Sequence, residues 1–310
     1  MFRKTGTLLT AALLGLTATI GGAGPAAAAP AATTSATVSL GKLILEPTER
    51  GYHGSIPLTV TNTGSETDYF GITLREPVPG SFPQGVFGCD AARLTPGDDR
   101  RVLDCALTAN GSQLAPGETV QVALSFDVLT NPRTYPMRMG GGWVEVHSGQ
   151  GGLLARESFN ARFRSTTGSL TNPRLYVQDT QPDAAITALG RATINPDGYG
   201  HLRVPVTVRY QGDAPHLGLY LKASPLPAGS VIQYTIPGDG PAMSDTTSVP
   251  GGRMMRGEER SFDVIISPPT DPADAEDLIT FEVSTFWYGD VDADPSDNTA
   301  QTTLAVATNS

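Results

Sequence analysis

The chain has 310 residues and carries 31 acidic against 21 basic side chains, a formal net charge of −10. This balance argues against nucleic acid as a partner, because neutralising a phosphate backbone needs a basic stripe and none is visible. The acidic groups are scattered through turns, which favours solubility over the capture of a charged ligand.

Residues 1–28 read as an export signal. Arg3 and Lys4 supply a short positive start, Leu8 to Ile20 is apolar, and Ala26-Ala27-Ala28 offers small residues for cleavage after Ala28. The apolar stretch is shorter than the roughly 20 residues a membrane-spanning helix needs, and no transmembrane segment is expected downstream. Loss of Arg3 and Lys4 leaves 19 basic against 31 acidic residues, a balance of −12. The expected location is secreted and extracellular, with non-covalent association with the cell wall as an extension of that reading.

Period-two alternation dominates the rest. In a first domain over residues 34–165, Ile56, Leu58 and Val60 share one strand face, followed by Phe70, Ile72 and Leu74. Val120, Val122, Leu124, Phe126 and Val128 form the cleanest run. Between these runs lie Cys89 and Cys105. In an exported chain the pair reads as a disulfide, and the spacing fits a C-x-x-C redox motif or a zinc site less well. Residues 166–173 are small, polar and end in Pro173, and read as a linker.

A second domain over residues 174–308 repeats the pattern. Leu202, Val204, Val206 and Val208 alternate, then Leu217, Leu219 and Leu221, then Phe262, Val264 and Ile266. Residues 271–278 suit one helical turn. Ile279, Phe281 and Val283 continue through Thr285 to Trp287, and Ala300, Thr302, Leu304 and Val306 close the chain.

Three landmarks recur in the same order. Pro57 and Pro205 each interrupt a good strand. Pro77-Val-Pro79-Gly80-Ser81 meets Pro225-Leu-Pro227-Ala228-Gly229-Ser230, and Pro116-Gly117-Glu118 meets Arg256-Gly257-Glu258. A fixed order of landmarks argues for two copies of one β-unit in tandem. Proline has no ladder donor, so its nitrogen is expected to face solvent, a bulge or an edge. Many short strands with Gly- and Pro-rich turns and no helical period predict an all-β fold of two β-sandwiches.

Val60-Thr-Asn62-Thr-Gly64, Pro77-Val-Pro-Gly80, the Cys89 and Cys105 pair, and Leu114-Ala-Pro-Gly-Glu118 together resemble the bacterial conserved-repeat domain of unknown function. They are also similar to the cell-adhesion-related domain found in bacteria. The turn Asp292-Ala-Asp-Pro295-Ser-Asp-Asn298 before the last strand resembles the closing turn of both. The second half departs from the pattern, with Tyr210-Gln211 in place of Asn-Thr and no cysteines. The resemblance implies tandem immunoglobulin-like modules on the bacterial surface, non-catalytic, with no catalytic residues to carry over.

Candidate chemistry is sparse. Asp290, Asp292, Asp294 and Asp297 place oxygen donors as Ca²⁺ would need, although Pro295 and Gln301 stand where an EF-hand has its glycine and its bidentate glutamate. The other reading is a metal-free turn, since Asp and Asn bond their own backbone. No other cofactor is expected. Trp143 and Trp287 lie on late strands; either could stack on a sugar ring, or pack in a core, a sheet edge or an interdomain contact. His53 and His201 fall before corresponding strands and read as turn caps rather than shared metal ligands. No G-x-S-x-G nucleophile elbow is present. The expected function is a secreted, non-catalytic binding or structural protein, whose partner is a cell-wall component or an extracellular protein. The alternatives are an accessory carbohydrate-binding protein and a secreted hydrolase with a hidden site.

Overall fold

The alternating runs become strands because pleated backbone sends successive side chains to opposite faces, so one face can be buried whole. A computed structural model of the chain describes residues 34–83, 89–90, 93–94, 98–107, 113–238, 242–287 and 291–306. The predicted leader lies outside these residues, as does Asp290.

The first eleven strands are β1 (Ala36–Leu40), β2 (Leu43–Thr48), β3 (Gly51–Asn62), β4 (Asp68–Arg75), β5 (Arg93–Leu94), β6 (Arg101–Ala106), β7 (Gln113–Leu114), β8 (Thr119–Val128), β9 (Met137–Ser148), β10 (Leu153–Phe163) and β11 (Arg174–Leu175). The next ten are β12 (Ala184–Leu189), β13 (Thr193–Ile194), β14 (Leu202–Tyr210), β15 (Leu219–Ser224), β16 (Ile232–Ile236), β17 (Ala242–Met243), β18 (Thr246–Ser248), β19 (Glu259–Ile266), β20 (Ile279–Thr285) and β21 (Thr299–Thr302). Between β19 and β20, Pro272–Glu276 forms one 3-10 turn, capped by the Asp271 carboxylate accepting from the Ala273 amide. This is the helical turn expected there. The protein is all-β.

Among the described residues, buried apolar side chains form two clusters. In the first, β3 lies between β8 and the edge made by β1 and the end of β2, with Ile56, Leu58 and Val60 opposite Leu124, Val122 and Val120. The facing sheet runs β10-β9-β4-β6-β5, and sets Ile72 and Leu74 opposite Val146 and Val144. In the second, β12-β14-β19-β16 faces β17-β18-β15-β20-β21. Here Val204, Val206 and Val208 pack with Leu221, Phe281 and Val283. Each fully buried side chain of this size contributes about 1.5–3 kcal/mol, so a one-residue slip of register, which would turn the whole set outward, is strongly disfavoured.

Three predicted strands are shorter than their patterns. Leu217 precedes β15 and bonds through its amide to the Phe286 carbonyl, and Trp287 follows the end of β20. Leu304 lies beyond β21 yet is buried in the second core.

The repeated prolines have a common local cause. In an antiparallel strand the amide and carbonyl of one residue point to the same side. Pro57 sends its carbonyl to the Gly41 amide at 2.9 Å, and Pro205 sends its own to Gly190 at 2.8 Å. The missing donors therefore face the breaks between β1 and β2 and between β12 and β13. Both prolines sit in strands flanked on two sides, and the edge strand is what gives way. Each partner is glycine for lack of room: a Cβ at Gly41 would meet Pro57 Cγ at 2.6 Å, and one at Gly190 would meet Pro205 Cγ at 2.9 Å.

The Gly-Glu turns also match in detail. Glu118 donates its amide to the Ala115 carbonyl and accepts the Ala115 amide on its carboxylate; Glu258 does the same with Met255.

The segment read as a linker folds back on the first half. Thr166 donates to the Arg133 carbonyl, Arg162 and Arg164 hold the Leu170 and Gly168 carbonyls, and β11 pairs with β9. Tyr176 is still part of the first core. The chain passes to the second core only after it.

Candidate functional site

On β6, Cys105 is disulfide-bonded to Cys89. In the chain-entropy model, closing a loop of 16 residues stabilises the fold by about 3 kcal/mol. Beside it lies the outer face of the β10-β9-β4-β6 sheet, where Trp143 stands in register between Arg75 and Ser158. The indole is half-buried, and the Arg156 guanidinium lies 4.7 Å over its ring while pairing with Glu145 at 3.1 Å. His147 reaches Thr73 Oγ1 at 3.2 Å, and that hydroxyl donates to Asp104 at 2.7 Å. Trp143 is thus placed toward solvent with one face roofed by a cation.

The acidic turn docks on the start of β12. Asp292 accepts the Ala184 and Asp294 amides on separate oxygens, and the Ala293 amide bonds the Pro182 carbonyl. This brings Asp292 and Asp297 together with Asp183, their carboxylate oxygens within 4.8 Å of one another. Asp294 turns away to bond Ser296, which lowers its pKa through that side-chain hydrogen bond. Asp183 came from outside the sequence motif, more than 100 positions upstream, and no spacing signal could have found it. Burial first, then the neighbouring carboxylates, raise Asp297 above the usual range; burial likewise leads the rise at Asp183, partly offset by Gln211. The set is a hard, oxygen-only donor group that protonation or a divalent cation would relieve. With one oxygen from each residue, its three carboxylates supply three of the roughly 6–8 oxygens Ca²⁺ takes.

Trp287 does not face solvent. Its side chain is buried, and its ring lies 5.3 Å from the Arg101 guanidinium of the first half, which stacks equally on Phe82. The sugar-platform reading is therefore corrected for this residue: it packs in the contact between the two halves, while neighbouring Phe286 is 52% exposed.

Arg101 is paired to fully buried Glu76, whose carboxylate also accepts the Gly80, Phe82 and Arg101 amides. That shapes the Val78-to-Ser81 turn into a docking loop. Arg253 donates to the Gly80 carbonyl at 2.6 Å and Gln178 to that of Pro79 at 3.1 Å. Asp213, buried, accepts from Thr130 Oγ1 at 2.6 Å, Tyr176 OH at 3.0 Å and the Asp179 amide at 2.9 Å.

The histidines serve different ends. His53 pairs across β3 and β8 with Asp127 at 2.7 Å rather than capping a turn. His201 does bond within its turn, to Asp197 at 2.7 Å, where Asn195 and Tyr234 also donate to the same oxygen. His216 is buried at the contact between halves, its ring tilted against that of Tyr210 with centroids 4.6 Å apart, and bonded to the Met254 carbonyl.

No protein-family model matches the chain, and no curated protein does. Among solved structures, it aligns with a protein of unknown function from Porphyromonas gingivalis W83 at 14% identity, over 86% of this chain and 97% of that one, with a TM-score of 0.22. It aligns with the YadV chaperone at 9% identity, over 87% and 100%, with a TM-score of 0.22. It aligns also with the serine-rich repeat adhesion glycoprotein Srr1 from Streptococcus agalactiae at 8% identity, over 89% and 97%, with a TM-score of 0.24. Scores this low leave function to be argued from the residues. Among the described residues, no helix is long and apolar enough to cross a membrane.

Proposed function

We propose that the protein is exported and works outside the cell as a non-catalytic binding or structural module, built from two immunoglobulin-like sandwiches and held at or near the wall. The observation that carries this reading is the joint between the halves. Asp213, Arg253 and the Arg101 stack on Trp287 tie the two β-cores through buried, directional contacts. Buried hydrogen-bonded charges hold one arrangement, because any other leaves a charge unpaired. Two cores held in a fixed arrangement, with a disulfide, suit an extracellular spacer or presenter.

Fractionating a native culture into cytoplasm, membrane, wall and supernatant tests it. The protein is expected in the wall or supernatant with residues 1–28 removed; retention in the cytoplasm at full length would sink the proposal. A second reading, an accessory carbohydrate-binding protein, draws on Trp143 at the outer sheet face. Pull-down on insoluble peptidoglycan, chitin and cellulose, lost in Trp143→Ala, would favour it over a spacer without sugar affinity.

A further inference from the structure

A cleft of about 390 Å³ opens beside the joint, lined by Thr48, Arg50, His53 and Asp127 of the first half and by Gly252 and Arg253 of the second. Its charge runs against that of the molecule. The Arg253 side chain is only 10% exposed, yet among the described residues its one carboxylate within 4 Å is Asp127, at 3.9 Å. Asp127 is already engaged by His53 at 2.7 Å. Arg50, 54% exposed, bonds Glu258 at 3.2 Å, but Arg260 holds the same carboxylate at 2.6 Å. Three guanidinium groups thus share two carboxylates, with Arg50, Arg253 and Asp127 lining the cleft and Arg260 and Glu258 bonded behind it.

A buried guanidinium normally takes a close oxyanion partner, and its planar fork matches carboxylate and phosphate oxygens. Burial lowers the Arg253 pKa first, with Arg101 and Arg50 adding to the fall and Asp127 and Glu76 opposing it. One terminal amine of Arg253 is spent on the Gly80 carbonyl, and a single amine of Arg50 makes both of its bonds. The arrangement leaves further guanidinium donors on both residues for a bound group.

The geometry points to an anion-binding cleft in which Arg50 and Arg253 together hold a carboxylate or phosphate group of an extracellular ligand. The volume exceeds that of a bare ion, which gives room for an anionic group carried by a larger molecule. That the ligand is extracellular rests on the export proposed above; the anion site itself does not depend on wall association.

The test uses the signal-free full chain titrated at constant ionic strength with inorganic phosphate and, separately, with acetate, followed by NMR of the backbone amides. Saturable shifts at residues 50–53 and 251–253 are expected for at least one anion. Arg50→Gln, at an exposed position that keeps the fold, is expected to weaken binding at least tenfold, as is Arg253→Lys. Arg93→Gln, at an exposed arginine remote from the cleft, is expected to leave it unchanged. Phosphate saturating without acetate assigns a phosphate-bearing ligand, and the reverse a carboxylate. Absence of saturation by either anion, or an affinity untouched by Arg50→Gln, overturns the proposal.

Discussion

His216 is the residue whose burial has the plainest consequence. Desolvation, the largest cause, lowers its pKa from 6.5 to about 4, with Arg253 and Arg260 adding to the fall. A histidine buried neutral binds its proton less readily folded than unfolded. Its contribution is therefore fully present above the unfolded value and lost as pH falls from about 6.5 through about 4, by up to about 3 kcal/mol. Urea unfolding at pH 7 and pH 4 is expected to show this loss, and His216→Gln to flatten it; an equally steep loss in the variant would assign it elsewhere. Asp183 and Asp297 run the other way, because raised carboxylates favour the folded state once protonated. Little of this was legible in the chain. Asp292 and Asp297 were read as a possible cation site, but their true neighbour is Asp183, and Trp287 gave no sign that it would meet Arg101. Those contacts join segments far apart in sequence, where spacing carries no information.

At the scale of strands, much was legible. Alternation marks which residues line each core, because a pleat has a period of two whatever it packs against. The proline landmarks also marked a special geometry, although the reason became visible only with the partner strand in place. Gly41 and Gly190 carried no signal of their own. Each stands opposite a proline ring that closes off the space for a side chain. Gly41→Val is accordingly expected to cost about 1–3 kcal/mol through overpacking against Pro57. Gly190→Val is expected to do the same against Pro205. Denaturant midpoints check both, and a variant as stable as the parent would show that the edge strand shifts without cost. The strand ends were read too long because apolar alternation continued past the strand at Leu217, Trp287 and Leu304; Trp287 and Leu304 are buried all the same, and Leu217 is half-buried.

For the molecule as a whole, the decisive feature is the polar contact between the cores. Asp213→Ala removes the acceptor shared by Thr130, Tyr176 and the Asp179 amide. It is expected to cost about 2–4 kcal/mol, as removal of one partner from a buried polar network does. It is also expected to speed protease cutting between residues 176 and 183, where the chain passes from one core to the other. Unchanged cutting would mean that the Arg253 and Trp287 contacts suffice. Residues 166–173 looked like the joint because small polar residues before a proline usually serve as linkers, but hydrogen bonds from Arg162 and Arg164, and one from the Thr166 amide to the Arg133 carbonyl, tie them to the first half. The sequence by itself determined the all-β class, the buried faces of β3, β4, β14, β15, β19 and β20, and the turn residues, since each depends on local backbone period or on neighbours a few positions away. β9 and β10, whose Val144, Val146, Phe159 and Phe163 line the first core, went unread. Only the tertiary structure decided where one half yields to the other, which carboxylates meet, and that a cationic cleft opens in an acidic protein. Those outcomes depend on distances between residues 80 to 200 positions apart, which are set when two finished cores pack and their buried charges find partners.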